Sequence, residues 1–263
     1  MEKISDYLNL DFSYGNYTEK EKEFWLDKAE QVETPFAWGD TRVMDTARVI
    51  IGISFYLLFV IAICIAPVFA TECESGAVAL LLTTKRGKTT LITAKVLTAV
   101  LFAMAYMSVS IGSALLMLGV IIGFWGSELP VQLWSVGSPY NWSVGKVCVI
   151  SVLIMLLLAL TITLLTLAWS SRLKSGFMVL VLDFLLLMGP VFLPVSKSSG
   201  LWNHILCLFP VYAMNNRDIV GSFISYQFGG IVLSYMAMIL LVYSVISIVS
   251  LWSVKGFAKH QVK

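Results

Sequence analysis

Five long apolar runs divide this chain, and they constrain its fold more than any other feature. A helix needs about 20 residues to cross the hydrocarbon core of a membrane, which is about 30 Å thick. Apolar residues make up 58% of the chain and charged residues 13%, whereas soluble domains contain about 45–50% apolar residues. The runs lack the strict alternation of a membrane β-barrel. The sequence therefore predicts an all-α, polytopic membrane protein. Its predicted spans are about 48–70, 89–123, 146–169, 176–195 and 229–254.

The basic residues predict how these spans are oriented. Cytoplasmic loops are enriched in lysine and arginine. The bases that follow the first, third and last spans are Lys85, Arg86, Lys88, Arg172, Lys174, Lys255, Lys259 and Lys263. We predict that these segments are cytoplasmic, and five crossings then put the N-terminus outside. The predicted regions are an extracytoplasmic segment over 1–47, a transmembrane domain over 48–255 and a cytoplasmic tail over 256–263.

The N-terminal segment begins Met-Glu-Lys-Ile-Ser-Asp, which is not a secretory signal. Either the first helix inserts with its N-terminus outward, or an upstream span is missing, and we expect the second. Alternating charges over 17–28 predict a solvated helix. Thr18 and Glu21 have the spacing of a capping box at its start.

A polar connection over 69–88 joins the first two apolar runs. It holds two acids, Glu72 and Glu74, before an apolar leucine run and three bases after it. This composition is typical of a short amphipathic helix on the cytoplasmic face, with its acids and bases at the ends that the helix dipole favours. The bases have an alternative role, since they also satisfy the positive-inside rule. Gly87-Lys88-Thr89 is not a phosphate-binding loop, because Leu82 stands where that motif requires glycine.

Asp183 lies inside the otherwise apolar fourth run. A charged side chain at that depth costs about 2.5–3.5 kcal/mol on insertion scales, so Asp183 is predicted to face the bundle interior or a watery cavity. Two roles stay open: a polar site in a substrate path or proton relay, and a structural hydrogen bond to a neighbouring helix. The candidate partners are Thr161, Thr163 and Thr166. The cysteines and histidines predict neither a disulfide framework nor a metal site.

The polar connection and its flanks carry a recognisable pattern. Its positions are Phe69, Glu72, Gly76, the leucines 80–82, Thr83, Thr84, Lys85, Gly87, Lys88, Leu91 and Lys95. This pattern resembles the signature of ABC-2 type permeases, the membrane subunits of type V ABC exporters. A tryptophan-then-proline pattern over 24–38 is similar to one that precedes the second span in the Firmicutes branch of that family. The resemblance covers nearly the whole chain, but the family's first span is absent.

The resemblance implies a coupling helix at about 71–86 that contacts a cytosolic ABC ATPase. It also implies an outer re-entrant or interfacial region at about 201–225 before the last span. The residues implied at the ATPase interface are Glu72, Glu74, Gly76, Lys85, Arg86 and Lys88. A second permease subunit, identical or different, completes the implied assembly in the cell membrane.

The implied function is export of a peptide, lipid or drug-like substrate with ATP hydrolysed on a separate subunit. The ATPase would bind ATP and magnesium, and this chain itself is expected to need no cofactor, to bind no nucleic acid and to have no enzyme activity. A proton-coupled secondary transporter using Asp183 is the alternative, but it predicts inverted repeats and more intramembrane acids than the sequence contains. An intramembrane enzyme is disfavoured, because no span holds a His-Glu pair or a Ser/Lys arrangement.

Overall fold

A computed structural model describes residues 2–10, 16–77, 90–193, 200–214 and 216–257. Within these residues the chain is mostly helical, as predicted. In the described part of the chain, four helices are long and apolar enough to cross a membrane: Arg42–Glu74, Ile92–Ile121, Val144–Ser170 and Tyr235–Gly256. They correspond to the predicted first, second, third and last spans, so a multi-pass membrane protein is supported.

The described helices are, in chain order, α1 (Glu2–Leu8), α2 (Glu19–Glu30), α3 (Arg42–Ile53), α4 (Leu57–Ile65), α5 (Pro67–Glu74), α6 (Ile92–Ile121), α7 (Val144–Ser170), α8 (Gly176–Met188), α9 (Gly200–Cys207), α10 (Pro210–Ala213), α11 (Asn216–Gly221) and α12 (Tyr235–Phe257). Short 3-10 turns cover Ser54–Tyr56, Val131–Leu133 and Gly189–Phe192. The first membrane helix therefore consists of α3, α4 and α5 in succession.

The fourth apolar run is shorter than the predicted span. Its α-helix ends at Met188, and Gly189–Phe192 continue as a 3-10 turn. Pro190 ends the α-helix because proline has no N–H and its ring clashes with the preceding turn. The 17 residues of Gly176–Phe192 rise about 25 Å at helical spacing, less than the hydrocarbon core of about 30 Å. Of the predicted spans, four and not five have full length in the described part of the chain.

A β-hairpin corrects both the all-α prediction and the predicted start of the last span at 229. Strands β1 (Ser225–Phe228) and β2 (Ile231–Ser234) pair antiparallel, with Phe228 opposite Ile231. The turn between them is Gly229-Gly230, and both glycines have positive φ, at 54° and 100°. A two-residue hairpin turn with positive φ at both positions favours glycine. The last membrane helix consequently begins at Tyr235.

The fold divides into two compact units. Unit 1 contains residues 1–53, 113–154 and 190–240. Trp25 of α2 is fully buried in this unit, and its ring meets those of Tyr140 and Phe223 edge-on at centroid distances of 6.1 and 5.5 Å. The Lys28 ammonium lies 4.5 Å from the Tyr140 ring centroid, a cation–π contact. Burial lowers the pKa of Lys28 and raises the pKa of Tyr140 to about 12.

The capping box predicted at Thr18 and Glu21 is confirmed. The Glu21 amide donates to the Thr18 hydroxyl at 3.3 Å, and the Thr18 amide donates to the Glu21 carboxylate at 2.9 Å. The other carboxylate oxygen of Glu21 accepts a hydrogen bond from the Ser225 hydroxyl at 2.8 Å. The cap therefore also connects α2 to β1.

The region predicted at about 201–225 folds against the same hairpin. The Nε2 atom of His204 lies 3.0 Å from the Ser225 carbonyl oxygen. The Tyr226 hydroxyl donates to the His204 carbonyl at 2.8 Å, and the Tyr235 hydroxyl donates to the Cys207 carbonyl at 2.7 Å. These bonds attach α9 to β1 and to the start of α12 within unit 1.

Unit 2 contains residues 54–112, 155–189 and 241–263. Ala66, Ala70 and Val179 form a buried core, with larger apolar side chains from the end of α7 and from α8 packed around it. The Thr161 and Ser247 hydroxyls share a buried hydrogen bond of 2.9 Å between α7 and α12. These contacts connect α5 to α8 and α7 to α12 within unit 2.

Candidate functional site

The first membrane helix is interrupted by a proline close to its end. Pro67 begins α5, a position at which its missing N–H is tolerated. The buried hydroxyl of Ser170, at the end of α7, accepts hydrogen bonds from the amides of Phe69 at 3.0 Å and Ala70 at 2.9 Å. The same hydroxyl donates to the Ala66 carbonyl at 2.6 Å. One side chain thus uses its full bonding capacity on backbone groups at the interruption.

Lys95 connects α5 to the first turn of α6. Its ammonium pairs with the Glu72 carboxylate and donates to the Val68 carbonyl at 2.8 Å. It also lies 4.8 Å from the centroid of the Phe69 ring. The side chains of Lys95 and Glu72 are 19% and 26% exposed, so this pair is better shielded from water than an ordinary surface ion pair. These contacts join the two helix ends between which the polar connection runs.

The acids of the polar connection occupy a different helical position from the predicted one. The sequence places Glu72 and Glu74 near the start of a coupling helix at about 71–86. In the structure α5 begins at Pro67 and ends at Glu74, so both acids lie in its last turn. The reason is that Pro67 starts α5 before the end of the apolar run, and Gly76, with its positive φ, follows directly after the acids and their capping residue. The helix dipole disfavours acids at this end, and the Lys95 ammonium compensates for Glu72.

Gly76 ends this helix through its backbone conformation. Its φ is +72°, and a Cβ atom at this position would meet no neighbour within 4 Å. Ser75 is the C-cap residue of α5, and its amide donates to the Thr71 carbonyl at 3.0 Å. Glycine is preferred directly after a helix because it adopts positive φ without a steric penalty. The role of Gly76 in the described structure is therefore helix termination.

Replacement of Gly76 by alanine is expected to lower the free energy of unfolding by about 1–2 kcal/mol, the cost of a left-handed conformation for an L-residue. The measurement is an SDS unfolding titration of the purified protein. Gly112→Ala is the matched control, because Gly112 lies inside α6 and its Cβ would also meet no neighbour. In a helix interior alanine is expected to stabilise by about 0.5–1 kcal/mol. Equal effects of the two variants would contradict this explanation.

The three bases implied at the ATPase interface, Lys85, Arg86 and Lys88, lie outside the described residues. Glu74 is exposed. Among the predicted cytoplasmic bases, Arg172 is exposed after α7, and its Nε donates to the Ser253 hydroxyl at 3.0 Å. The structure thus brings Glu72 to a partner, Lys95, within this chain, and leaves Glu74 accessible.

Asp183 is buried in unit 2, with 1% of its surface exposed. Its Oδ1 atom accepts a hydrogen bond from the Thr166 hydroxyl at 2.9 Å. Thr166 is one of the three partners considered from the sequence. The second carboxyl oxygen, Oδ2, has no hydrogen-bond partner among the described residues. The structural hydrogen bond is therefore present, and one buried polar atom is left over.

No protein-family model matches this chain, and neither curated proteins nor solved structures include a significant match.

Ser170 is the residue in this site that the sequence alone does not single out. The sequence signal for Ser170 is weak. It is a polar Ser170-Ser171 pair at the end of a long apolar run, and such a pair is also typical of an ordinary helix end. The need for its hydroxyl arises from Pro67, which is distant in sequence. Lys95 belongs to the family-like pattern, but its sequence position gives no indication that Glu72 is its partner.

Proposed function

We propose that this chain is a permease subunit of an ATP-binding cassette exporter in the cell membrane. It pairs with a second permease subunit, and ATP hydrolysis by a cytosolic ATPase that binds ATP and magnesium drives its transport. The N-terminal segment faces outward and the C-terminus is cytoplasmic. The transported substrate is a peptide, a lipid or a drug-like molecule.

The contact among Phe69, Glu72 and Lys95 is the observation that carries this proposal. All three are positions of the pattern that resembles the ABC-2 signature, and they lie together around one ammonium group. Nothing in the pattern itself requires these side chains to touch. A force-transmitting connection does need both ends fixed to the helices that it moves, and this contact fixes the end of α5 to the start of α6.

The Ser170 hydroxyl extends the same connection to a third helix. It holds the backbone of α5 against the end of α7. Displacement of the polar connection by an ATPase would therefore be transmitted to α5 and α6 through Lys95, and from α5 to α7 through Ser170. The Ser170 contacts of this route are buried and the Lys95 contacts are partly buried, and such contacts transmit displacement better than flexible surface side chains.

Site-specific photo-crosslinking tests the proposal. A photoreactive amino acid replaces Arg86 in the full chain, which is co-expressed with ABC ATPases from the same cell. The same amino acid at Trp125, which is 75% exposed in the predicted outer loop, is the control. We expect an ATPase adduct at position 86 and none at position 125, and ATP-dependent transport in proteoliposomes that contain both proteins. Transport by this chain in the absence of any ATPase would contradict the proposal.

The unpartnered oxygen of Asp183 favours a second candidate, a proton-coupled transporter. Asp183→Asn distinguishes the two functions, because asparagine keeps an oxygen that accepts the Thr166 hydrogen bond but carries no exchangeable acid proton. For the ABC exporter we expect Asp183→Asn to retain most transport activity and to change the unfolding free energy by less than about 1.5 kcal/mol, the value of one hydrogen bond. For a proton-coupled transporter the same variant would abolish transport. The measurement is substrate flux in proteoliposomes with ATP or with an imposed pH gradient.

A further inference from the structure

A cavity lies in unit 1, whereas the contacts around α5 belong to unit 2. Its volume is about 640 Å³, within the range of about 300–1,000 Å³ typical of small-ligand pockets. Its walls are mainly apolar and come from α3, the end of α6 and the first turns of α7. Ala47 is a buried wall residue, whereas Val149 and Leu153 on α7 are 60% and 59% exposed. All three wall elements belong to helices long and apolar enough to cross a membrane, so the apolar walls are suited to contact with acyl chains.

Two opposite charges line the polar end of this cavity. They are Glu128, in the loop after α6, and Lys146, in the first turn of α7. The Lys146 ammonium lies 5.0 Å from the centroid of the Trp142 ring. Both charged residues are exposed, and no ion pair involving either is present among the described residues. The charges are therefore available to an external ligand.

The start of α7 contributes no free backbone donors to this end. The amides of Val144 and Gly145 donate to the Leu129 and Ser127 carbonyls at 2.8 and 2.9 Å, and the Lys146 amide donates to the Ser143 hydroxyl at 3.3 Å. An anionic group bound here is consequently recognised by side chains, and Lys146 is the one cation among the described residues that line the cavity.

The loop that carries Glu128 is held in place by a close backbone contact. Gly126 has a φ of +81°, and a Cβ atom there would lie 2.5 Å from the Asp40 carbonyl oxygen. Only glycine fits this approach. The carboxylate is thus presented from an anchored loop next to the first turn of α7.

We infer that this cavity binds a phospholipid whose headgroup carries both a phosphate and a primary ammonium, as in phosphatidylethanolamine. The apolar walls accept an acyl chain, Lys146 pairs with the phosphate and Glu128 pairs with the ammonium. A peptide is a poorer fit, because its amide groups would be left without hydrogen-bond partners against apolar walls at membrane depth. The inference does not depend on the proposed transport function.

Native mass spectrometry of the full, detergent-purified chain tests this inference. The protein is titrated with phosphatidylethanolamine, phosphatidylcholine and phosphatidylglycerol that carry identical acyl chains. We expect phosphatidylethanolamine to bind about two- to fivefold tighter than phosphatidylglycerol, the effect of one exposed ion pair, and tighter than phosphatidylcholine, whose quaternary ammonium has no N–H to donate to Glu128. Lys146→Gln should weaken the binding of phosphatidylethanolamine and phosphatidylglycerol to a similar extent, because both lose the pair with the phosphate. Glu128→Gln should weaken binding of phosphatidylethanolamine, because its ammonium loses the carboxylate. The same variant should strengthen binding of phosphatidylglycerol, because the carboxylate no longer repels its phosphate.

A cavity-filling variant separates the site from general lipid adsorption. Val149→Trp fills the space from an exposed wall position and is expected to reduce binding of all three lipids. Val109→Trp is the control, because Val109 is 68% exposed on α6 but does not line the cavity. Equal affinity for the three lipids, the same response of all lipids to Glu128→Gln, or unchanged binding in Val149→Trp would overturn the inference.

Discussion

Replacement of Ser170 by alanine is expected to lower the free energy of unfolding by about 2–5 kcal/mol. The hydroxyl of Ser170 satisfies two backbone amides and one carbonyl at the interruption before α5. Each buried polar group that loses its partner costs about 1–3 kcal/mol, and part of this is recovered if α5 shifts to form helical bonds. The measurement is an SDS titration monitored by circular dichroism.

Ser171→Ala is the matched control for this prediction. Ser171 is also buried, but its hydroxyl donates only to the Ala168 carbonyl of its own helix, at 2.8 Å. We expect this variant to cost about 0.5–1.5 kcal/mol, because it removes one hydrogen bond whereas Ser170→Ala removes three. Equal losses in the two serine variants would show that the interruption at Pro67 does not need the hydroxyl.

The Pro67→Ala background tests directly whether the Ser170 hydroxyl is needed because Pro67 interrupts the helix. Alanine restores an N–H at position 67, so α4 and α5 are able to form a continuous ladder of helical bonds. In this background Ser170→Ala should cost less than in the wild type, which a double-mutant cycle measures as a coupling energy. No coupling between the two positions would contradict the assignment.

Replacement of Lys95 by methionine is expected to abolish most transport and to destabilise unit 2 by about 1–3 kcal/mol. Methionine keeps most of the length of the side chain but loses the pair with Glu72 and the bond to the Val68 carbonyl. Hydrogen bonds that involve a charged group contribute about 1.5–3 kcal/mol, and the partial exposure of this pair reduces that value. Transport is measured as ATP-dependent substrate flux, and stability by SDS titration.

Charge reversal at both Glu72 and Lys95 distinguishes two roles of Glu72: an ion pair that fixes α5 to α6, and a direct contact with the ATPase. If the role of Glu72 is to hold Lys95, the Glu72→Lys, Lys95→Glu double variant should recover part of the transport that each single variant loses. If Glu72 instead contacts the ATPase, the double variant should be as inactive as Glu72→Lys. Glu19→Gln is the stability control, because its pair with Lys22 involves a carboxylate that is 90% exposed, and we expect a change below about 1 kcal/mol.

The membrane-length helices were predictable because their signal is local. A run of about 20 apolar residues has few stable alternatives in a chain of this composition. The same holds for the capping box at Thr18, where both partners lie within one turn. The predicted fourth span was too long because it ran through Gly189-Pro190, where the α-helix ends, and the hairpin at Gly229-Gly230 was missed. Apolar residues on both sides of these glycines also fit the start of a membrane helix, and only the glycine pair indicated a turn.

The helical, apolar and multi-pass character of this chain follows from its sequence, because hydrophobic length and local breakers act within a few residues. The sequence also marks Phe69, Glu72, Gly76, Lys95 and Asp183 as unusual. The tertiary structure alone identified the contact partners of most of these residues. Glu72 meets Lys95, Asp183 meets Thr166, and the break at Pro67 is satisfied by Ser170. These pairings depend on how separate helices approach one another, and a hydrogen bond or ion pair between distant positions leaves no periodic trace in the sequence.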